Sequence, residues 1–182
     1  MKRLTLLCAL LLMAGLATAE TFTYTPDPED LYDFPHAKYI TWGIDVSDVV
    51  GMQVVEVELY IDGISNWDNG DNVLYIHMMD NQPLGVTRHR DNSNPSDAFE
   101  GQGELIDAWV DYNGEGTTDD ISYMASSLSI VTTSDDWCQD GVLGFGFDPD
   151  CHYWNSGVRV VIIAEPMTAT QDTSWSGLKE LY

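Results

Sequence analysis

Apolar and polar residues alternate with a period of two along most of this chain. Between Lys38 and Val46, the side chains of Ile40, Trp42, Ile44 and Val46 alternate with Tyr39, Thr41 and Asp45. Between Gln53 and Asp62, Val55, Val57, Leu59 and Ile61 face one way, and Glu56, Glu58 and Asp62 the other. Leu74, Ile76 and Met78 oppose Tyr75 and His77, while Ile106, Ala108, Val110 and Tyr112 oppose Asp107, Trp109 and Asp111. Leu143, Phe145 and Phe147 alternate with glycines, and Val158–Ile163 is an apolar β-branched run. This spacing predicts half-buried strands, because successive side chains of an extended chain point to opposite faces. Clusters of Gly, Asn and Asp between the runs supply the turns.

Strands without a long helix among them predict an all-β fold, an antiparallel β-sandwich of jelly-roll-like or immunoglobulin-like kind. The stretch Ser122–Val131 fits either a strand or a short helix. Residues 20–37, with Pro26, Pro28 and Pro35, read as an extended lead-in to the sandwich. Residues 166–182 read as a linker and short C-terminal tail, in which Trp175, Leu178 and Tyr182 fit one or two helical turns. The domain proper is therefore expected over 20–165.

The first nineteen residues follow a different rule. A basic start (Lys2, Arg3), an apolar run to Leu16 and the small-x-small stretch Ala17-Thr18-Ala19 make a secretory signal peptide, with cleavage expected before Glu20. The run is shorter than the roughly 20 residues of a spanning helix, so no membrane span is expected. Export sets the expectation for the cysteines. Cys8 leaves with the leader, and Cys138 and Cys151 then pair most simply as a disulfide in an oxidising compartment. A nucleophilic thiolate at Cys151 is disfavoured by its neighbours Asp148 and Asp150.

Charge narrows the function. The whole chain holds 7 Lys and Arg against 30 Asp and Glu, a formal net charge of −23. Such a surface repels phosphate, which excludes nucleic acid and anionic lipid as partners and favours divalent cations. Carboxylates and amides gather on the loop Asp62–Asn72, with Asp62, Asp68 and Asp71, and on Asp111–Asp120, with Asp111, Asn113, Glu115, Asp119 and Asp120. A third polar stretch holds Asp91, Asn92, Asn94, Asp97, Glu100 and Glu104. The second loop reads D-x-N-x-E-G, half of a calcium loop, with Ser122 where a bidentate Glu would close it. Calcium is the expected cofactor on these residues. Turn chemistry explains the same composition without a metal. A zinc site from Asp33, His36, Asp148, Asp150 and His152 competes with a simple Asp148-Pro149-Asp150 hairpin turn, and the turn is the preferred reading.

Trp67 on an acidic loop, Trp109 on the polar side of its run and Trp154 after Tyr153 are candidate platforms for sugar rings. No G-x-S-x-G elbow is present, and carboxylates are too numerous for any one pair to mark a hydrolase. The expected function is a secreted cell-surface or matrix binding module that takes calcium and a glycan or surface polymer. The alternative is a small extracellular polysaccharide hydrolase using paired carboxylates.

Three stretches carry a resemblance: His36–Ile44 (H-x-K-Y-I-T-W-G-I), Asn66–Asp80 (N-W-D…N-x-L-Y-I-H-x-x-D) and Gly144–Val158 (G-F-G-F-D-P-D-C-H-Y-x-N-x-G-V). Together they resemble a group of poorly characterised secreted bacterial β-sandwich proteins, many of which carry a PEP-CTERM sorting tail. The resemblance covers about residues 31–165 and implies a fold and a compartment, with no ligand residues. No apolar segment with an arginine cluster follows Ala164-Glu165-Pro166 here.

Overall fold

The alternating runs become strands, and their pairing follows a nested order. The computed structural model describes residues 18–66, 70–93, 95–112, 119–124 and 137–167. Its strands are β1 (Glu20–Tyr24), β2 (Lys38–Asp45), β3 (Met52–Asn66), β4 (Val73–Asp80), β5 (Gly85–Arg90), β6 (Glu104–Val110), β7 (Asp119–Met124), β8 (Val142–Pro149), β9 (Tyr153–Trp154) and β10 (Gly157–Pro166). The first sheet runs β1-β10-β3-β7, with β9 paired to the end of β3; the second runs β5-β2-β8-β4-β6. All strand pairs are antiparallel. β1 pairs with β10, β2 with β8, β3 with β7 and β4 with β6, as if one long hairpin had been rolled up. That nesting is the double Greek key of a jelly roll. β5 is the addition, attached to the edge of β2.

The facing sides of the two sheets make the core. From the second sheet come Ile40, Trp42, Ile44, Leu74, Ile76, Met78, Leu143, Phe145 and Phe147, and from the first Val57, Leu59, Ile61, Val158, Val160 and Ile162, all buried. The chain before β2 closes one end, where Phe34 stacks on Phe147 with ring centroids 5.2 Å apart. The lead-in expected over 20–37 is thus partly strand: β1 covers the edge of β10. β7 makes Asp119–Met124 a strand; the rest of the ambiguous stretch to Val131, and the tail with Trp175, Leu178 and Tyr182, lie outside the described residues.

Irregularities in the strand register change which residues face inward. The β3–β10 register shifts between Ile163 and Ala164, so Ile163 faces Glu56 while Ala164 faces Val54. The extra residue at the bulge turns Val55 outward and Val54 inward: Val54 is buried and Val55 exposed. The β4–β6 register shifts likewise between Ile76 and His77. Beyond that point Trp109 packs against the core and Asp111 is buried, whereas Tyr112 is 83% exposed. Strict alternation from Ile106 assigns all three to the wrong side.

The cysteine expectation is also corrected: no disulfide joins Cys138 to Cys151, and both are buried thiols. Cys138 precedes β8 and Cys151 follows it. Eight extended residues span about 25 Å, whereas bridged cysteines need Cα atoms within about 7 Å. A short sequence separation became a long spatial one because the intervening residues are a strand.

Candidate functional site

The connection between β4 and β6 shapes one surface of the molecule. β4 lies next to β6 in the second sheet, but the chain leaves β4, crosses to the far edge to form β5, and returns to β6 through residues 91–103. It thereby passes twice over the outer face of that sheet. The outer face has room because Gly43, Gly144 and Gly146 stand there instead of side chains. A Cβ on Gly43 would lie 2.2 Å from the Pro83 carbonyl oxygen, and one on Gly146 would lie 2.7 Å from both Met79 Sδ and Phe99 Cζ. The outgoing crossing therefore rests on the backbone of β2, and the returning one lays Phe99 into the trough above β8.

Between the two crossings is a small open depression of about 110 Å³, lined by Tyr39, Thr41, Met79, Gln82, His89, Ala98, Phe99 and Gln102. Tyr39 stacks on His89 at 4.6 Å and meets Phe99 edge-on at 5.1 Å. Thr41 Oγ1 and His89 Nε2 are 3.2 Å apart. Phe99 and Thr41 are buried at the floor of the depression, whereas Tyr39, His89 and Gln82 are half-buried around them and Gln102 is exposed.

The same returning segment buries carboxylates. Asp91 follows β5 and donates its amide to the Ala37 carbonyl at 3.1 Å. Its Oδ1 accepts from the Ser93 amide at 2.7 Å and the Ser93 hydroxyl at 2.6 Å. Asp148, at the end of β8, accepts the Ala98 amide on Oδ2 at 2.6 Å. Asp148 is 2% exposed and Asp91 9%. Asp91 Oδ2 and Asp148 Oδ1 are buried without a hydrogen-bond partner. Burial raises the Asp148 carboxyl to about 6 against the pull of the Ala98 amide, with further raising by the charges of Asp91, Asp97 and Asp150. Burial and then Asp150, Asp97 and Asp148 also raise the Tyr75 hydroxyl. Asp97 is engaged, bonding His77 Nε2 at 2.9 Å and the Phe99 amide at 2.8 Å, and His77 Nδ1 meets the Gln102 carbonyl at 3.1 Å.

Of the residues expected to bind metal, Asp111 lies beside the start of β4, where Val73 pairs with Val110 and donates its amide to Asp150 at 2.7 Å. Asp111 is buried and accepts the Asn66 amide at 3.2 Å. Asp120 accepts the Gly63 amide at 2.8 Å. Asp62 forms an ion pair with Arg159, whose guanidinium lies 4.1 Å from the centre of the Tyr60 ring. Asp119 begins β7 and Asp71 is exposed. The described ends of the two acidic stretches therefore meet, and Asp62, Asp111 and Asp120 there hold backbone amides or an arginine. Asp68, Asn113 and Glu115 lie outside the described residues. No group of three or more His, Cys, Asp or Glu that could hold a metal occurs among the described residues.

The aromatic candidates separate. Trp109 packs on Tyr153 at 5.7 Å as part of the core wall. Trp154 is 46% exposed, with its ring 5.0 Å from His152. Trp67 lies outside the described residues. Sequence spacing singled out tryptophans and acidic loops, and it passed over Tyr39, Thr41, His89, Gln82 and Gln102. The available signal was the glycine alternation of β8 next to a polar β4–β6 connection much longer than a hairpin requires.

No family matches the chain, and no curated protein does. Several solved structures are remotely similar. A latent aurone synthase (polyphenol oxidase) from natural source is 10% identical over 75% of this chain and 26% of its own, with a TM-score of 0.45. Dimeric latent PorU from Porphyromonas gingivalis is 8% identical over 82% and 13%, with a TM-score of 0.36. The CBM22-1-GH10 modules of Clostridium thermocellum xylanase 10B, complexed with xylohexaose, are 6% identical over 78% and 28%, with a TM-score of 0.30. The chain thus spans about a quarter of the first of these structures or less of the second, and likenesses this remote carry no argument about ligand or activity.

Proposed function

We propose that this chain is a secreted cell-surface or matrix binding module whose ligand is a hydroxyl-rich, glycan-type polymer. The observation that carries the reading is the depression on the second sheet, with stacked rings beside hydroxyl, imidazole and amide groups. A ring face takes the apolar side of a sugar, and the polar groups take its hydroxyls. Its volume is that of a few water molecules, so it admits one edge of a sugar ring and suits shallow, repeated contact along a polymer. The acidic surface, at −23, favours a neutral or cationic polymer over an anionic one. Export is the compartment this reading uses, supported by a leader whose expected cleavage point is the first residue of β1.

Binding is favoured over hydrolysis by where the paired carboxylates lie. A glycosidase needs two carboxyls about 5–10 Å apart across a cleft that admits substrate. Asp91 and Asp148 are instead buried under the segment 91–103. Affinity electrophoresis through gels containing neutral, cationic and anionic polysaccharides tests the reading. Retardation by a neutral or cationic polysaccharide, lost in His89→Ala and Gln102→Ala, is the expected result. Polymer cleavage, or no retardation in any gel, contradicts it.

A further inference from the structure

We propose that Asp91 and Asp148 together hold a calcium ion between the outer face of the second sheet and the returning segment 91–103. The two residues flank the start of β2 from opposite sides: Asp91 bonds Ala37, and Phe147, the residue before Asp148, pairs with Ile40. Each side chain is at least nine-tenths buried, and each keeps one carboxylate oxygen without a partner. The other oxygens are pinned by the returning segment, through Ser93 and Ala98. The unpartnered oxygens are thus oriented before any ligand arrives.

No described base neutralises them. The ion pairs among described residues join His77 to Asp97 and Arg159 to Asp62. Two buried carboxylates that feel each other's charge, with Asp97 and Asp150 also within electrostatic reach, are costly unless a cation or a proton intervenes. The available donors are oxygens, since His77 has both ring nitrogens engaged. Oxygen donors suit calcium, which accepts six to eight of them in flexible geometry and takes carbonyls and water beside carboxylates. Two carboxylates give a site of modest affinity, which millimolar extracellular calcium fills. Such an ion would fix the segment that walls the depression without touching the ligand.

The test is calcium titration of the full chain after chelation, read as melting temperature and calorimetric Kd. A hundredfold excess of calcium over Kd should raise Tm by about 5–10 °C. Asp91→Asn and Asp148→Asn should each abolish that rise, and Asp111→Asn should retain it. Ser93→Ala keeps both carboxylates and removes the hydroxyl bond to Asp91 Oδ1 while the backbone amide still holds it; it should weaken calcium severalfold, and serves where the Asn variants fail to fold. A wild-type chain that calcium does not stabilise overturns the proposal, as does an unchanged Kd in Ser93→Ala or a rise lost only in Asp111→Asn. The result is separable from glycan binding: retardation by polysaccharide without a calcium shift refutes this site alone.

Discussion

The buried carboxylate of Asp111 accepts the backbone amide of Asn66 at 3.2 Å, tying the end of β3 to the chain leaving β6. The described residues flanking two acidic stretches that look independent in sequence are thereby joined, and Val73 and Val110 pair beside them. Removing the carboxylate leaves a buried amide unsatisfied. Asp111→Ala should therefore lower stability by about 1–3 kcal/mol even without calcium, read as a lower urea midpoint. An unchanged midpoint in chelator would mean that the Asn66 contact contributes nothing.

Asp148 makes stability depend on pH in a defined direction. Its carboxyl is near 3.8 in an ordinary environment and about 6 in the fold. A raised carboxyl favours the folded state fully below pH 3.8, and that contribution is lost as pH rises through about 6. Asp148→Asn, which cannot ionise, should be more stable than the parent at pH 7.5 in chelator, by up to about 3 kcal/mol. The difference should vanish near pH 3.5. A variant less stable than the parent at pH 7.5 would show that the Asp148 charge is compensated.

The trough over β8 is tested by filling it. Gly146→Ala places a methyl group against Phe99 and Met79, side chains that can shift, and Gly43→Ala places one against the Pro83 backbone. Gly146→Ala should cost about 1–3 kcal/mol and weaken ligand retention by displacing Phe99. Gly43→Ala should cost more, because backbone has less freedom to move. Equal, negligible effects on the urea midpoint would mean that the crossings rest loosely on the sheet.

The thiols give a chemical check on topology. Denatured, unreduced protein should label at both Cys138 and Cys151, and the native protein at neither, because both are buried. Failure to label after denaturation would require a bridge and a different path for β8.

The strand positions were legible because the runs around Ile40–Ile44, Leu74–Met78 and Leu143–Phe147 keep a period of two, and the core uses those residues. The bulges near Val55 and Ile106 were not, since one added residue reverses every later side chain without altering composition. The same limit misassigned Trp109, whose ring belongs to the core wall. Asp91 and Asp148 were visible as acidic residues, but their electrostatic coupling depends on the β5 excursion, which joins strands that no local pattern connects. Tyr39, Thr41 and His89 read as the polar side of ordinary strands; only the crossings above them make a depression there.

Chemical-shift mapping on isotope-labelled protein, with a polysaccharide fragment selected by gel retardation, tests the central claim most directly. The account predicts that the perturbed amides cluster at Tyr39, Thr41, Gln82, His89 and Ala98–Gln102, with those around Trp154 unmoved. Perturbations centred on Trp154 and Ser65, or no saturable perturbation on the second sheet, would contradict it.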